Sequence, residues 1–197
     1  MPRKTNKIPS HTTILLVVEG QTEQIYFSEM RIFERVPGIS IVPKIAQHSD
    51  LYHVLKTALN EFNFGVYDSI WCVFDKDTLL SNNITDEVKT LLNKAINNGI
   101  KIADSFPAFE IWFLLHYEMP KQTYNNQDEV IKNLIKHISD YSKERKWQET
   151  KHLYAFLKKY QEQAILNSKR LNLQFSEAKN KSLCNVYKII EEILSHK

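Results

Sequence analysis

Residues 71–82 read WCVFDKDTLLSN, an apolar run of strand character that ends in two aspartates, Asp75 and Asp77, separated by one lysine. Residues 14–23, ILLVVEGQTE, repeat the arrangement earlier in the chain, with Glu19 and Gly20 closing the run. An unpartnered carboxylate is costly to bury. Acids at the mouth of a buried strand are therefore solvated, paired with a base, or bound to a cation.

Working outward, residues 12–18 (TTILLVV) are continuously aliphatic and β-branched, as in strands covered on both faces. Gly20 breaks the run, and the spacing predicts an amphipathic helix over 21–34 with Thr22 as a candidate cap. Two further units of this kind follow. Residues 38–45 form a short strand whose Pro43 argues for an edge position, and residues 50–62 a helix capped by Ser49 or Asp50. Residues 68–75 are the clearest strand; the next helix starts at Thr85 or Asp86 and stops at Gly99, and residues 100–105 make a fourth strand.

This alternation predicts an α/β protein with a mostly parallel sheet flanked by helices. From Pro107 the pattern turns helical, over residues 108–119, 126–143, 151–171 and 183–196, with a loop at 124–126 and no further convincing strand. The expected organisation is a basic tail (1–11), an α/β domain (12–106) and a C-terminal helical extension (107–197) packed on the sheet.

Ligands bind such sheets outside the carboxyl ends of the strands, where Glu19, Asp75 and Asp77 all fall. Residues two apart in a strand share a face, with Cα atoms roughly 6.5 Å apart. If the strand persists, Asp75 and Asp77 reach one site and Lys76 faces away. Should Glu19 end an adjacent strand, three hard oxygen donors converge, a set suited to Mg²⁺ or Mn²⁺. Glu23, four residues on, could supply a fourth. The competing reading is that Asp-Lys-Asp-Thr merely caps the following segment.

These residues resemble the Toprim fold of topoisomerases, primases and OLD-type nucleases, in which Glu-Gly after one strand and Asp-x-Asp after a later one form the signature. The resemblance is closer to the RloB-like family, proteins often encoded beside restriction systems or an ATPase in phage-defence loci. It is carried by residues 14–27 (ILLVVEGQTEQIYF), 70–77 (IWCVFDKD), 105–118 (SFPAFEIWFLLHYE), 164–171 (AILNSKRL) and 185–194 (NVYKIIEEIL). The resemblance implies a Toprim-like sheet, Glu19 as metal ligand or general acid/base, Asp75 and Asp77 as metal ligands, and Glu23 as a further acidic candidate. The family block at 105–118 adds Glu110 and His116, six residues apart on a predicted helix, which could plug the mouth of the sheet. Glu110 can equally be a buried acid paired with a helix N-terminus or a lysine. This chain has Ala108 where the family usually carries cysteine, a departure that leaves the acidic set untouched.

The implied activity is a Mg²⁺- or Mn²⁺-dependent nuclease on DNA or RNA, an effector of a bacterial antiphage or abortive-infection system with an AAA- or ABC-type ATPase as partner protein. Lys151, Lys169 or Arg170 could hold the nucleic-acid backbone. The alternatives are a non-catalytic binding module for a partner ATPase or nucleic acid, and a haloacid-dehalogenase-type phosphatase built on Asp75 and Asp77, a motif which that fold places on its first strand.

Composition narrows the field. With 43% hydrophobic and 25% charged residues the chain is an ordinary globular protein. A net charge of +3 permits a nucleic-acid ligand without demanding one, and basic residues gather at 1–7 and between 143 and 171, where solvated helix faces would also place them. Cys72 and Cys184 have no metal-ligand spacing and read as buried, reduced thiols. The chain has no P-loop and no GxGxxG motif, so it is not expected to be an ATPase or dinucleotide enzyme itself, and any ATP hydrolysis its function needs would come from elsewhere. Without a signal core or membrane-length apolar run, a cytoplasmic location is expected.

Overall fold

Four parallel strands and one short antiparallel strand form a single sheet in the order β2-β1-β3-β4-β5. The structure is a computed structural model that describes residues 11–76, 84–174 and 181–196. The strands are β1 (Thr12–Val18), β2 (Ile39–Ile45), β3 (Ser69–Asp75), β4 (Lys101–Phe106) and β5 (Leu183–Cys184). Helices α1 (Gln21–Glu34), α2 (Leu51–Phe64) and α3 (Asp86–Asn97) alternate with the first four strands. The helical part contributes α4 (Glu110–Leu115), α5 (Gln127–Leu134), α6 (Arg145–Lys151), α7 (Leu153–Leu157), a 3₁₀ turn (Lys158–Tyr160), α8 (Gln161–Gln174) and α9 (Tyr187–Leu194).

The continuous apolar run of β1 has a direct cause in its packing. Residues 14–18 are all fully buried, and their alternation feeds two separate cores. Ile14, Leu16 and Val18 pack with Trp71, Val73, α1 and the helical part. Leu15 and Val17 pack with Cys72, Phe74, α2 and α3 on the opposite face. Cys72 and Cys184 are free and buried in these two different cores, and burial pushes the Cys72 thiol up to about 12, which leaves it inert at neutral pH.

Local signals hold at several boundaries. Asp50 caps α2 by accepting from the His53 N–H at 2.9 Å, and Thr85 caps α3. Gly99 follows α3 at φ 78°, a left-handed turn suited to glycine. Pro43 sits on the edge strand β2, where its missing N–H costs no ladder bond.

Four expectations are corrected. Thr22 does not cap α1: the cap is Gly20, without a side-chain bond, and Thr22 lies inside the first turn. The helical part contains a strand, β5, which pairs with β4 through Ser105↔Cys184 and Phe106↔Leu183. Helix 126–143 ends at Leu134, and 151–171 is broken into α7, a 3₁₀ turn and α8, with His152 left-handed at φ 50°. The predicted helix over 108–119 is confined to Glu110–Leu115. The basic stretch at 1–7 lies outside the described residues. Among the described residues no helix is long and apolar enough to cross a membrane.

Candidate functional site

Glu19 and Asp75 meet because β1 and β3 are adjacent parallel strands in the register Val18↔Val73. The Glu19 N–H donates to the Val73 carbonyl at 3.1 Å, carrying the ladder one residue past β1. The Asp75 N–H in turn donates to Glu19 Oε2 at 3.1 Å. Two acids 56 positions apart are thus fixed at one rim by backbone geometry, the arrangement expected if Glu19 ended a neighbouring strand.

The other expected partner of Asp75 depends on β3 continuing through residue 77. β3 spans Ser69–Asp75 and Lys76 is in a turn. The Lys76 N–H donates to the Ser105 carbonyl at 2.7 Å, and its ammonium lies 3.7 Å from Asp104 Oδ2. Asp77 lies outside the described residues. Among the described residues no group of three or more His, Cys, Asp or Glu side chains is arranged to hold a metal ion.

Glu19 and Asp75 border a cavity of about 320 Å³ shared with Gly20, Glu23, Glu110 and Lys143. Glu23, in the first turn of α1, is 6% exposed. Its carboxylate folds back over Gly20, where a Cβ would stand 2.9 Å from Glu23 Oε2. Gly20 has φ −134° and ψ 179°, open to any residue, so contact with Glu23 accounts for the glycine. Burial raises the Glu23 pKa from 4.5 to about 7; the charges of Glu110 and Glu19 push the same way, while its own backbone N–H and Lys143 oppose the rise. Thr22, beside it, accepts at Oγ1 from the buried Gln148 amide at 3.0 Å.

Glu110 enters the cavity from the start of α4 and is 1% exposed. Gln127 Nε2 donates to its Oε2 at 2.8 Å and the Tyr141 hydroxyl to its Oε1 at 3.1 Å, while Lys143 Nζ stands 3.4 Å from Oε1. The paired-acid reading of Glu110 is realised together with its place at the sheet mouth. Three donors from α5 and the segment after it tie the helical part to the end of the sheet. A second concavity, about 360 Å³, is bordered by Asp75, Pro107, Asn126 and Gln127, so Asp75 and Gln127 stand between two openings.

His116 does not reach this cavity. It packs edge-on against Trp112 at 4.8 Å, and its Nδ1–H donates to the Trp112 carbonyl at 2.8 Å. Burial depresses its pKa to about 4, so it is neutral at physiological pH. Lys151 pairs with Asp140 at 3.0 Å and Lys169 with Glu191 at 2.5 Å, Arg170 is exposed on α8, and none of the three borders the cavity.

Gln127, Tyr141 and Lys143 are site residues that the sequence reading missed. They fall in 126–143, read there as one helix, and polar residues scattered on a helix carry no sign of convergence. The break after Leu134 is what lets Tyr141 and Lys143 return to the sheet.

An acidic cavity at the carboxyl ends of the two central strands defines this molecule as a parallel α/β protein with an anionic rim. Over residues 14–193 the sequence matches the family described as RloB-like protein, and the chain belongs to that family. No curated protein matches the chain.

Proposed function

We propose that this RloB-like protein is a metal-dependent nuclease whose site is the acidic cavity at the ends of β1 and β3. The observation that carries this reading is the Asp75 N–H bonded to Glu19 Oε2 at 3.1 Å, which fixes the Glu19 carboxylate beside the Asp75 backbone on a cavity that both residues border. Glu19 and Asp75 supply hard oxygen donors of the kind a divalent cation takes, while Glu23 and Glu110, on the same cavity, are buried in its wall.

Glu19 and Asp75 would hold Mg²⁺ or Mn²⁺, with Asp77 as the further ligand implied by the Toprim resemblance. The ion supplies Lewis acidity toward a phosphoryl oxygen. Glu23 contributes a carboxyl group that is part protonated near pH 7, suited to giving or taking a proton at its Oε2. Glu110 positions Lys143 and Gln127 on the wall. The family resemblance supports a role as effector in bacterial antiphage defence, with ATP hydrolysis supplied by a partner ATPase.

The test is cleavage of DNA and of RNA in Mg²⁺ or Mn²⁺, alone and with the partner ATPase, by the wild type and by Glu19→Gln, Asp75→Asn and Asp77→Asn. Metal-dependent cleavage abolished in Glu19→Gln and Asp75→Asn is the expected result. Equal cleavage by these variants removes the assignment, and metal binding without cleavage by the activated complex favours a binding module.

A further inference from the structure

Phosphodiester substrates carry charge of the same sign as the rim, so a protein cation at the cavity, beside any bound metal ion, favours and positions the backbone there. Lys151 and Lys169 are committed to Asp140 and Glu191 and lie elsewhere. Of the described residues that border the cavity, Lys143 alone carries a positive charge.

Its pairing with Glu110 is loose. The 3.4 Å separation exceeds the roughly 2.7–2.9 Å of a charge-assisted hydrogen bond. Both Glu110 oxygens already accept from a closer donor, Gln127 at 2.8 Å and Tyr141 at 3.1 Å. The Lys143 side chain is 49% exposed while that of Glu110 is 1% exposed, so the acid is sealed in the wall and the ammonium stands at the opening. An ammonium has three donors and no acceptor. Glu110 engages at most one of these at this distance, leaving donors for an entering anion.

We propose that Lys143 is the substrate-binding residue that grips a non-bridging oxygen of the phosphodiester, with Glu110 as the counter-charge that parks it between turnovers. The proposal rests on the nuclease reading and names the group that brings the backbone to the acids. Tyr141 and Gln127 keep Glu110 in place when Lys143 turns to substrate, so exchange of partner leaves no buried carboxylate without donors.

The experiment measures affinity of the full chain for a single-stranded DNA and for an RNA of the same sequence, in Ca²⁺, over a series of salt concentrations. One lost phosphate contact lowers the slope of log K against log salt by about 0.7 on a single strand. That decrease is expected for Lys143→Gln, while Lys143→Arg keeps the wild-type slope. Lys143→Gln could unfold the chain by exposing Glu110 to an unbalanced site, so Glu110→Gln/Lys143→Gln, which removes both charges, is measured beside it and should show the same decrease.

A wild-type slope in either glutamine variant overturns the proposal, as does a wild type that binds neither strand. Cleavage is read separately in Mg²⁺ or Mn²⁺. A cleaving protein whose slope ignores Lys143 sinks the lysine and spares the nuclease reading; Lys143-dependent binding without cleavage by the activated protein does the reverse.

Discussion

Asp75 donates its backbone N–H to the Glu19 carboxylate at 3.1 Å, so the second acid of the rim is a structural partner of the first. Glutamine at position 19 keeps an acceptor for that N–H, whereas alanine removes it. Glu19→Gln should fold with stability within about 0.5 kcal/mol of wild type, while Glu19→Ala should lose about 1–2 kcal/mol from the bond and the orphaned donor. Under the proposed nuclease function, both should lose at least about 100-fold in metal-dependent cleavage, since even second-layer partners of a metal site cost 10–100-fold. Urea titration with a cleavage assay separates the two effects.

Gly20 and Glu23 should behave as a unit. An alanine Cβ would sit 2.9 Å from Glu23 Oε2, at the far end of a side chain that can swing away. Gly20→Ala is therefore expected to cost under about 1 kcal/mol in stability and, under the proposed nuclease function, to lower kcat/KM about 100-fold by displacing the carboxyl group, the loss also expected of Glu23→Gln. The double variant should fall no further than either single one. Additive losses in that cycle would show that the two residues act separately.

Stability should fall with rising pH because of Glu23. Its folded pKa, about 7, lies above its ordinary 4.5. The unfolded chain thus releases the proton first, and the contribution is full below pH 4.5 and lost as pH rises through 7. Glu23→Gln should match wild type near pH 4 and exceed it by about 3 kcal/mol at pH 8. Urea midpoints at the two pH values check the sign and the size.

His116 acts in the opposite direction. With a folded pKa of about 4 against 6.5, the unfolded chain binds its proton first on acidification. Stability from this group is complete above pH 6.5 and drains away as pH drops to 4 and below, by about 3 kcal/mol. His116→Leu should flatten this acid limb relative to wild type, and a pH series of thermal midpoints reads the difference.

Tyr141→Phe removes the hydroxyl that donates at 3.1 Å to the buried Glu110 Oε1. Hydrogen bonds to charged groups contribute about 1.5–3 kcal/mol, so a loss near 2 kcal/mol in denaturant unfolding is expected. In Glu110→Gln the same tyrosine change should cost less, which a double-mutant cycle would show.

The order of strands and helices up to residue 106 was legible because β1 and β3 are covered on both faces, and two-sided burial requires an unbroken apolar run. The caps of α2 and α3 were legible to within one residue, Ser49 or Asp50 and Thr85 or Asp86, since a cap is a local feature, and the structure settles them as Asp50 and Thr85. Thr22 misled because the helix already begins at Gln21, with Gly20 in extended backbone as its cap, which leaves Thr22 inside the first turn. β5 left no pattern: two residues are too few for alternation, and their strand state comes from β4 lying alongside.

The sequence by itself determined the parallel α/β core and placed Glu19 and Asp75 at strand ends, because hydrophobic periodicity records local geometry against solvent. Only the tertiary structure decided that those ends are neighbours, and that Gln127, Tyr141 and Lys143 gather on Glu110. Convergence of polar side chains depends on where distant segments stop and turn back. Such distances are set by packing across the whole core, and no local spacing encodes them.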